Sequence, residues 1–533
     1  MNAKQLYQLG ENLFTNRQSL TSLWQEIGDN FYPERAEFTL KRDIGDRFSE
    51  DIMSSYPILV RRGLGNQFTT MLRPTAKPWF HPKVRYLDDP DNETKVVLER
   101  MEETQRRAMY DPRAKFNRAS KEGDHDLAAF GQCVKSVELN NAGDGIIYRC
   151  WHLRDVAWQE DESGEIGFVF RKWKPTVQQA ISVFPGKLDQ KVVDRLAKEP
   201  FADVHLIHMV VTSDMYDNKT AKPRWSIWYD IENDHIIEET PIHGKHYIIP
   251  RWQTVSGSQY SYSPATIAGL PDARLLQAMT FTLLEAGEKA TSPPMVATQG
   301  VVRSDMAVYA GGVTWVDQDY DERLGDALKP IAQDLRGLQF GGSLNEGAMA
   351  MLNKAFYMDT LTMPPMVQEM TAFEVGKRVE EYIRNALPIF EPIEEEDNAA
   401  ICDETFGLLQ RNGAFGDPRS WPQALQGADI DFVFESPLHD AIDQQDATKF
   451  REANALISEA MALDPSLGHI PKAEVALRDA LTGLGVKSSW MKSEAEVEDA
   501  RNNDKAQQEA TQKLSMMQQG ADVAETLQGA QGA

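Results

Sequence analysis

The chain has 533 residues, too many for one hydrophobic core, and two to four domains or subdomains are expected. Its 56 Lys and Arg against 81 Asp and Glu give a formal charge of −25, a poor fit to gripping nucleic acid, because duplex affinity comes mainly from cations neutralising phosphates; simple solubility is the commoner reason for such acidity. Cys133, Cys150 and Cys402 form no C-x-x-C pair, so buried thiols in a reducing compartment are expected. No run approaches the roughly 18 apolar residues of a membrane helix. The start, Met1-Asn-Ala-Lys-Gln-Leu-Tyr7, lacks the charged-then-apolar layout of a signal peptide, and a soluble protein made in a cytoplasm is expected.

In chain order, Leu6, Leu9, Leu13, Leu20, Leu23, Trp24, Ile27 and Phe31 predict one amphipathic opening helix, closed by Tyr32-Pro33. A second helix is expected from Ser55 to Leu72, ending in Arg73-Pro-Thr-Ala-Lys-Pro-Trp-Phe80. Arg61, Arg62 and Arg73 read as the solvated face of that helix, with a phosphate patch as the alternative. Asn92–Tyr110 and Phe116–Phe130 predict further helices. From Gly131 the period changes to two: Cys133–Leu139, Ile146–Trp151, Val156–Trp158 and Ile166–Arg171 read as strands joined by polar, glycine-containing turns. A helix around Val177–Lys198 is followed by strands at His205–Val211, Trp225–Asp230, His235–Glu239 and Tyr247–Trp252.

Pro264–Thr291 predicts a long helix stopped by Ser292-Pro-Pro294, then short strands with Gly311-Gly312 and Gly341-Gly342, then a helix from Ser343 to Met358. The next stretch, Met363-Pro-Pro-Met-Val-Gln-Glu-Met-Thr-Ala-Phe-Glu-Val-Gly-Lys-Arg-Val-Glu-Glu381, pins a loop to a helix start. Thr371 and Glu374 form a T-x-x-E capping box, in which each side chain can satisfy the other's backbone amide, and Met370 and Val375 form a hydrophobic staple. Pro388 and Pro392 are expected to bend or restart this helix, with the remainder running from Glu394 to Gly413. Beyond it come a strand at Ile430–Glu435 and helices at Asp440–Leu463, Lys472–Leu484 and Met491–Gly520. The whole is α+β and mostly helical.

The string Met370-Thr-Ala-x-Glu-Val-x-x-Arg-x-x-Glu381 resembles the portal, or head-to-tail connector, proteins of short-tailed bacteriophages. Other segments share the resemblance in order: the Trp24 helix ending at Pro33, the Pro78-Trp-Phe80 turn, Ala129-Phe-Gly131 before the first strand, Tyr247-Ile-Ile-Pro-Arg-Trp252, and Ser256-Gly-Ser-Gln-Tyr-Ser-Tyr-Ser-Pro264. The resemblance spans about residues 1–413. One departure stands out: the family's glycine after the tyrosine is Ser261 (after Tyr260) or Ser263 (after Tyr262), which bears on the turn, since only glycine takes positive φ cheaply.

The resemblance implies a portal fold with a wing (1–263), a first stem helix (264–293), a clip (294–342), a second stem helix (343–358), a tunnel loop (359–370), a long helix with wing and crown-side helices (371–487), and a C-terminal crown helix with a disordered tail (488–533). It implies a homo-oligomeric ring of about twelve subunits at one capsid vertex, the head-tail junction of the virion, assembled in the host cytoplasm. The implied partners are double-stranded DNA passing without sequence specificity, a terminase, tail adaptor or nozzle proteins, and major capsid and scaffolding proteins, with no membrane. Twelve acidic chains carry about −300, and acidic walls repel phosphates, so DNA slides. Lys354, Met358, Thr360, Thr362, Met363, Met366 and Gln368 are the candidate DNA-channel residues, with packing under the wing as the alternative for the methionines.

Chemistry of the enzymatic kind is not legible. No Gly-Lys pair (Gly186-Lys187, Gly244-Lys245, Gly376-Lys377) is followed by Ser or Thr, so there is no phosphate-binding P-loop, and neither G-x-S-x-G nor H-E-x-x-H occurs. His205 with His208, and His243 with His246, have spacings a metal could use but no completing ligand. No catalytic, cofactor or metal residue is expected. The rival reading is a non-ring binding scaffold, an adaptor or an inner-virion structural protein.

Overall fold

The structure is a computed structural model. It describes residues 1–43, 45–46, 51–75, 77–87, 90–140, 143–217, 220–297, 315, 323, 328–330, 336–361, 372–435, 453–459, 473–483, 486, 490–492 and 496–507. The opening amphipathic stretch is two helices, α1 (Ala3–Asn16) and α2 (Gln18–Phe31), not one. Arg17 leaves helical geometry between them (φ −96°, ψ 12°), because its guanidinium is pulled inward to the carbonyls of Val156 and Arg154 at 2.5 and 2.7 Å. Helix α3 (Tyr56–Leu72) follows, then a strand absent from the sequence reading, β1 (Phe80–Val84). Helices α4 (Asn92–Met109) and α5 (Phe116–Phe130) match their periodicity, and α5 stops at Gly131, which takes φ +75°.

Strands β2 (Val134–Leu139) and β3 (Ile146–Trp151) form a hairpin. Next come β4 (Val156–Glu160) and β5 (Ile166–Trp173), then two short helices, α6 (Val177–Val183) and α7 (Gln190–Arg195). A single helix over 177–198 is therefore corrected: Pro185-Gly186 separates the two, with Gly186 at φ +72°. Strands β6 (Leu206–Thr212), β7 (Arg224–Asp230) and β8 (His235–Ile242) complete an antiparallel sheet in the order β4-β5-β6-β7-β8. Cross-strand register puts Phe170, Met209 and Ile227 on one face under α1, with Val169 and Val210 on the other face in the main core. The strand expected at Tyr247–Trp252 shortens to β9 (Tyr247–Ile248) beside β2, because Pro250 has no amide to continue the ladder; Arg251 returns as an isolated bridge to Gln132.

The long helix α8 (Pro264–Thr291) is capped by Ser263, whose hydroxyl accepts from Thr266 N at 3.4 Å. Short strands β10 (Met295–Ala297) and β11 (Leu328–Pro330) pair antiparallel. Helix α9 (Arg336–Ala355) then returns, beginning well before the expected Ser343. Gly341 is not the turn it resembled: a Cβ there would meet Leu283 Cδ2 at 2.8 Å, so the glycine lets α9 lie close on α8. After α10 (Met358–Leu361), helix α11 (Ala372–Ile393) runs through both Pro388 and Pro392, passes into a π-helical turn at Glu394–Asn398, and continues as α12 (Ala399–Arg411). The expected restart at the prolines is therefore replaced by a widened turn just beyond them, where the ladder re-registers.

Finally β12 (Ile430–Phe434) pairs antiparallel with β1, placing Phe434 opposite Phe80. A second core, containing Trp79, Phe80, Phe116, Tyr148, Ile401 and Cys402, forms where that pair meets α5, β3 and α12. Of the C-terminal helices, 453–459, Ala473–Gly483 and 496–507 are helical; residues 491–492 are not, and the rest of those expected segments lies outside the described residues. No helix of the described residues is long and apolar enough to cross a membrane.

Candidate channel foot and the framework that holds it

The two long helices α8 and α9 form an antiparallel pair. Gly269 of α8 lies against Leu352 and Phe356, and Asn345 of α9 donates to the Thr280 hydroxyl at 3.3 Å further along. One side of the pair enters the main core through Leu270, Ala273, Leu276, Ala348, Leu352 and Phe356. The remaining sides keep large apolar groups in solvent: Phe281 is 53% exposed, Leu284 55% and Phe340 68%.

The candidate channel residues begin where α9 ends. Lys354 is exposed in its last turn. Tyr357 takes φ +58° and turns the chain into α10, so that Met358, half-buried, sits with its sulfur over Gly63 of α3. Thr360 is half-buried, and Leu361 anchors α10 in the core. Tyr382 of α11 donates to the Leu361 carbonyl at 3.2 Å, tying the foot of the loop to the helix that follows it. Thr362, Met363, Met366, Gln368 and the capping Thr371 lie outside the described residues, and of Glu374 only the helical backbone is described.

What positions this foot is the grip on α11 and α12. Trp252 donates its indole N–H to the Ile389 carbonyl at 3.1 Å, one residue past Pro388. Arg251 forks onto Glu396 at 3.0 and 3.1 Å, its own amide reaching the same carboxylate at 2.7 Å, while its other arm pairs with Glu160. Further on, the Glu404 carboxylate accepts from the Lys245 amide, Gln105 donates to the Cys402 carbonyl at 3.0 Å, and Tyr148 shares a 2.7 Å hydrogen bond with Thr405.

The π turn carries the deepest of these contacts. It points Asp397 and Asn398 inward, and both are fully buried. Arg73 donates to Asp397 at 3.0 Å and to Asn398 at 2.6 Å, and pairs with Asp124; Lys135 donates to Asp397 at 2.6 Å; Thr69 donates to Asp124 at 2.7 Å. Two cations thus face two carboxylates with no solvent between them, the condition under which buried charge is tolerated. Burial presses Lys135 toward neutrality, but the carboxylates, Asp397 first and Asp124 behind it, outweigh burial and raise its pKa. Burial likewise pushes the Cys133 thiol well up, so it is inert.

Arg73 and Arg61, expected in solvent, are corrected: both are buried, Arg61 donating to the Phe31 carbonyl at 3.1 Å and lying 3.8 Å from the centre of the Tyr32 ring. Only Arg62 keeps a solvated position, beside Glu34. Sequence reasoning missed Asp397, Lys135 and Asp124 altogether. The one available signal was an acidic run placed directly after two prolines in a helix that otherwise shows an apolar stripe.

Two segments read separately in the sequence meet here. Gly131 packs flat against the Tyr262–Ser263 peptide, Ser261 donates its hydroxyl to the Gly131 carbonyl, Ser263 to Ala128 O at 2.8 Å, and Thr266 to Ala129 O at 2.8 Å. Ser261 and Ser263 keep negative φ, so neither serine strains the turn; the left-handed residue is Gly257, at φ +86°. Of the histidines with metal-like spacing, His208 instead meets His246, its ring held between the Trp228 stack at 4.3 Å, Tyr247 at 2.6 Å and Ser226 at 2.8 Å. No cluster of three metal-ligating side chains occurs among the described residues.

Residues 3–491 match the bacteriophage head to tail connecting proteins, and the chain belongs to that family. It is similar to the probable portal protein of Bordetella phage BPP-1, at 24% identity over 97% of this chain and 93% of that one. It is similar also to the portal protein of Salmonella phage epsilon15, at 23% identity over 98% and 94%. A chain in the neck of an empty GTA particle, computed with C6 symmetry, overlaps 82% of this chain and 98% of its own length at 10% identity, with a TM-score of 0.34.

Proposed function

We propose that this chain assembles into a closed ring of about twelve copies at one capsid vertex, around the channel through which duplex DNA is packaged and ejected. The observation that carries the reading is the solvent-facing apolar surface of α8 and α9, with Phe281, Leu284, Phe340, Leu275 and Met351 exposed on helices whose other side is core. Large apolar groups left in solvent on one helix pair suit a surface that a partner covers, and a neighbouring subunit's stem supplies a matching one. In this reading 1–263 is the wing, α8 and α9 are the stem, the segment between them is the clip, and 359–370 is the tunnel loop. Thr362, Met363, Met366 and Gln368 line the constriction, with Lys354, Met358 and Thr360 at its foot. The late helices form the crown.

The net charge of −25 supports a wall that repels phosphates and lets DNA move without sequence-specific arrest. Work for packaging then comes from an ATP-driven terminase docked at the clip, and tail adaptor proteins take its place later. Assembly follows in the host cytoplasm with capsid and scaffolding proteins. Light scattering on the purified protein tests the ring, with negative-stain images of the same fraction. A mass near twelve times 60.1 kDa, about 720 kDa, in rings with a central hole is expected. A folded monomer at high concentration in the presence of scaffolding protein sinks the reading.

A further inference from the structure

In a chain this acidic, the junction of α4 and α5 reverses the balance: from Thr104 to Lys121 six cations accompany a single acid, Asp111. The cations are Arg106, Arg107, Arg113, Lys115, Arg118 and Lys121, and all but the half-buried Arg106 are exposed. Nearby carboxylates hold three of them: Glu103 meets Arg107, Asp111 meets Arg113 with Asp144 further off at 3.7 Å, and Glu122 meets Arg118. Arg106, Lys115 and Lys121 form no ion pair among the described residues. The opposite charge gathers at the turn between β4 and β5, where Glu160, Asp161, Glu162 and Glu165 fall within six residues that include no cation. Arg251 takes Glu160, and Lys245 takes Glu165 at 3.2 Å. Asp161 and Glu162 are exposed and form no ion pair among the described residues.

The sheet β3-β2-β9 holds these two surfaces apart. Tyr148 of β3 donates its amide to the Ala114 carbonyl at 2.8 Å, which fixes Arg113 and Lys115 along the outer edge of β3. On the far edge of β2, Val137 donates to the His246 carbonyl at 3.2 Å, and the adjacent Lys245 reaches the acidic turn. Val137 and Tyr148 are cross-strand partners, so the cations and the acids stand at the same level of the sheet on opposite flanks. Three strand spacings, about 14 Å, separate Ala114 from His246 across the sheet.

We propose that these flanks meet between copies of the chain, the α4–α5 cations of one subunit facing the β4–β5 acids of the next. The contact rests on the ring reading above and adds a charged interface to the apolar one on α8 and α9. In a closed ring every interface is head-to-tail, so each subunit needs two different faces on opposite sides. Complementary charge on those faces sets their orientation and repels a wrong approach. Duplex DNA is another polyanion that cations of this kind could meet, but it would leave the acidic turn without a counterpart. Glu103, Glu122 and Asp144, set among the cations, also oppose a phosphate backbone.

Charge reversal tests the contact in full-length chains assembled with scaffolding protein, followed by light scattering and negative-stain images. Lys115→Glu with Arg118→Glu places acids at the start of α5, where the positive end of the helix favours them, so the fold is retained. Glu162→Lys with Glu165→Lys changes only exposed positions of the turn. Each doubly substituted chain is expected to melt as wild type does and to need at least about tenfold more protein for half-assembly. An equimolar mixture of the two is expected to recover rings, because chains with two acidic flanks and chains with two basic flanks alternate around an even-membered ring. The chain carrying all four substitutions is expected to recover them alone. Rings from either doubly substituted chain at the wild-type concentration, or failure of both the mixture and the fourfold chain to recover, overturns the proposal. Normal rings that lose bound duplex DNA when the cations are reversed overturn it also, and assign the surface to nucleic acid. Wild-type chains that form no ring sink the ring reading itself, and this contact falls with it.

Discussion

Arg73 meets Asp397 at 3.0 Å in the interior, joining the residue after α3 to a π turn of the long helix more than three hundred positions later. The π turn is what makes the meeting possible. Its extra residue rotates Asp397 and Asn398 off the solvent side of an otherwise acidic turn, and Arg73, Lys135 and Asp124 complete a four-charge cluster around them.

Removing one member strands the others. Arg73→Met leaves two buried carboxylates against Lys135 alone, and a loss of about 3–5 kcal/mol in unfolding free energy is expected from denaturant titration. A loss below about 1 kcal/mol would show that the cluster is hydrated and that the interior reading is wrong.

His81 lies between Glu102 at 2.7 Å and Glu435 at 3.2 Å, linking α4 to the end of β12. Burial opposes its charge, but the two carboxylates prevail and lift its pKa to about 10. Because the folded value exceeds the usual 6.5, the stabilisation is whole below about pH 6.5 and fades as pH rises through 10. His81→Gln is expected to cost on the order of 1 kcal/mol at pH 6, discounted for the third of the side chain in solvent, with the gap closing by pH 10. A gap constant from pH 6 to 10 would contradict this.

Glu394 opens the π turn, and burial, with Glu391 adding to it, raises its carboxyl to about 7. The raised value means the fold prefers the neutral form, so its contribution is complete below about pH 4.5 and lost as pH climbs through 7. Glu394→Gln keeps a neutral group in place. Thermal melts are expected to show the variant more stable than wild type by about 1–3 kcal/mol at pH 8 and equal to it near pH 4.5.

Two glycines with nearly equal φ separate packing from backbone strain. Gly131 (φ +75°) faces the Tyr262–Ser263 peptide, where a Cβ overlaps backbone, whereas Gly143 (φ +73°) has nothing within 4 Å. Gly143→Ala is expected to cost about 1 kcal/mol in denaturation midpoint. Gly131→Ala is expected to yield no soluble folded protein, and a variant that melts within a few degrees of wild type would rule out the close approach.

On α8 and α9, Phe281→Glu together with Phe340→Glu replaces two exposed apolar groups without touching the core. The doubly substituted chain is expected to keep its circular dichroism and melting temperature as a monomer and to lose the ring. Intact rings would place the subunit contact elsewhere.

Much of this was legible in the amino-acid order where a local rule governs. The α5 stop at Gly131, the β2–β3 hairpin and the start of α8 at Pro264 all follow from neighbours within a few residues. What escaped was decided at a distance. Arg17 breaks the opening helix because of carbonyls near residue 155, Arg73 is buried because Asp397 arrives, and Gly341 is a helix contact because Leu283 lies opposite. Strand β1 has no partner until β12. The channel residues were read from a resemblance, and only Lys354, Met358 and Thr360 among them, all at the foot, have a described position.

The pairing of Phe80 with Phe434 sets a clock for synthesis. The ribosome delivers about 5–20 residues each second, so the 354 positions between the two aromatics take roughly 20 to 70 s to emerge. Throughout that interval Trp79 and Phe80 have no β12 to cover them. The second core therefore closes only once Phe434 has emerged, late in synthesis.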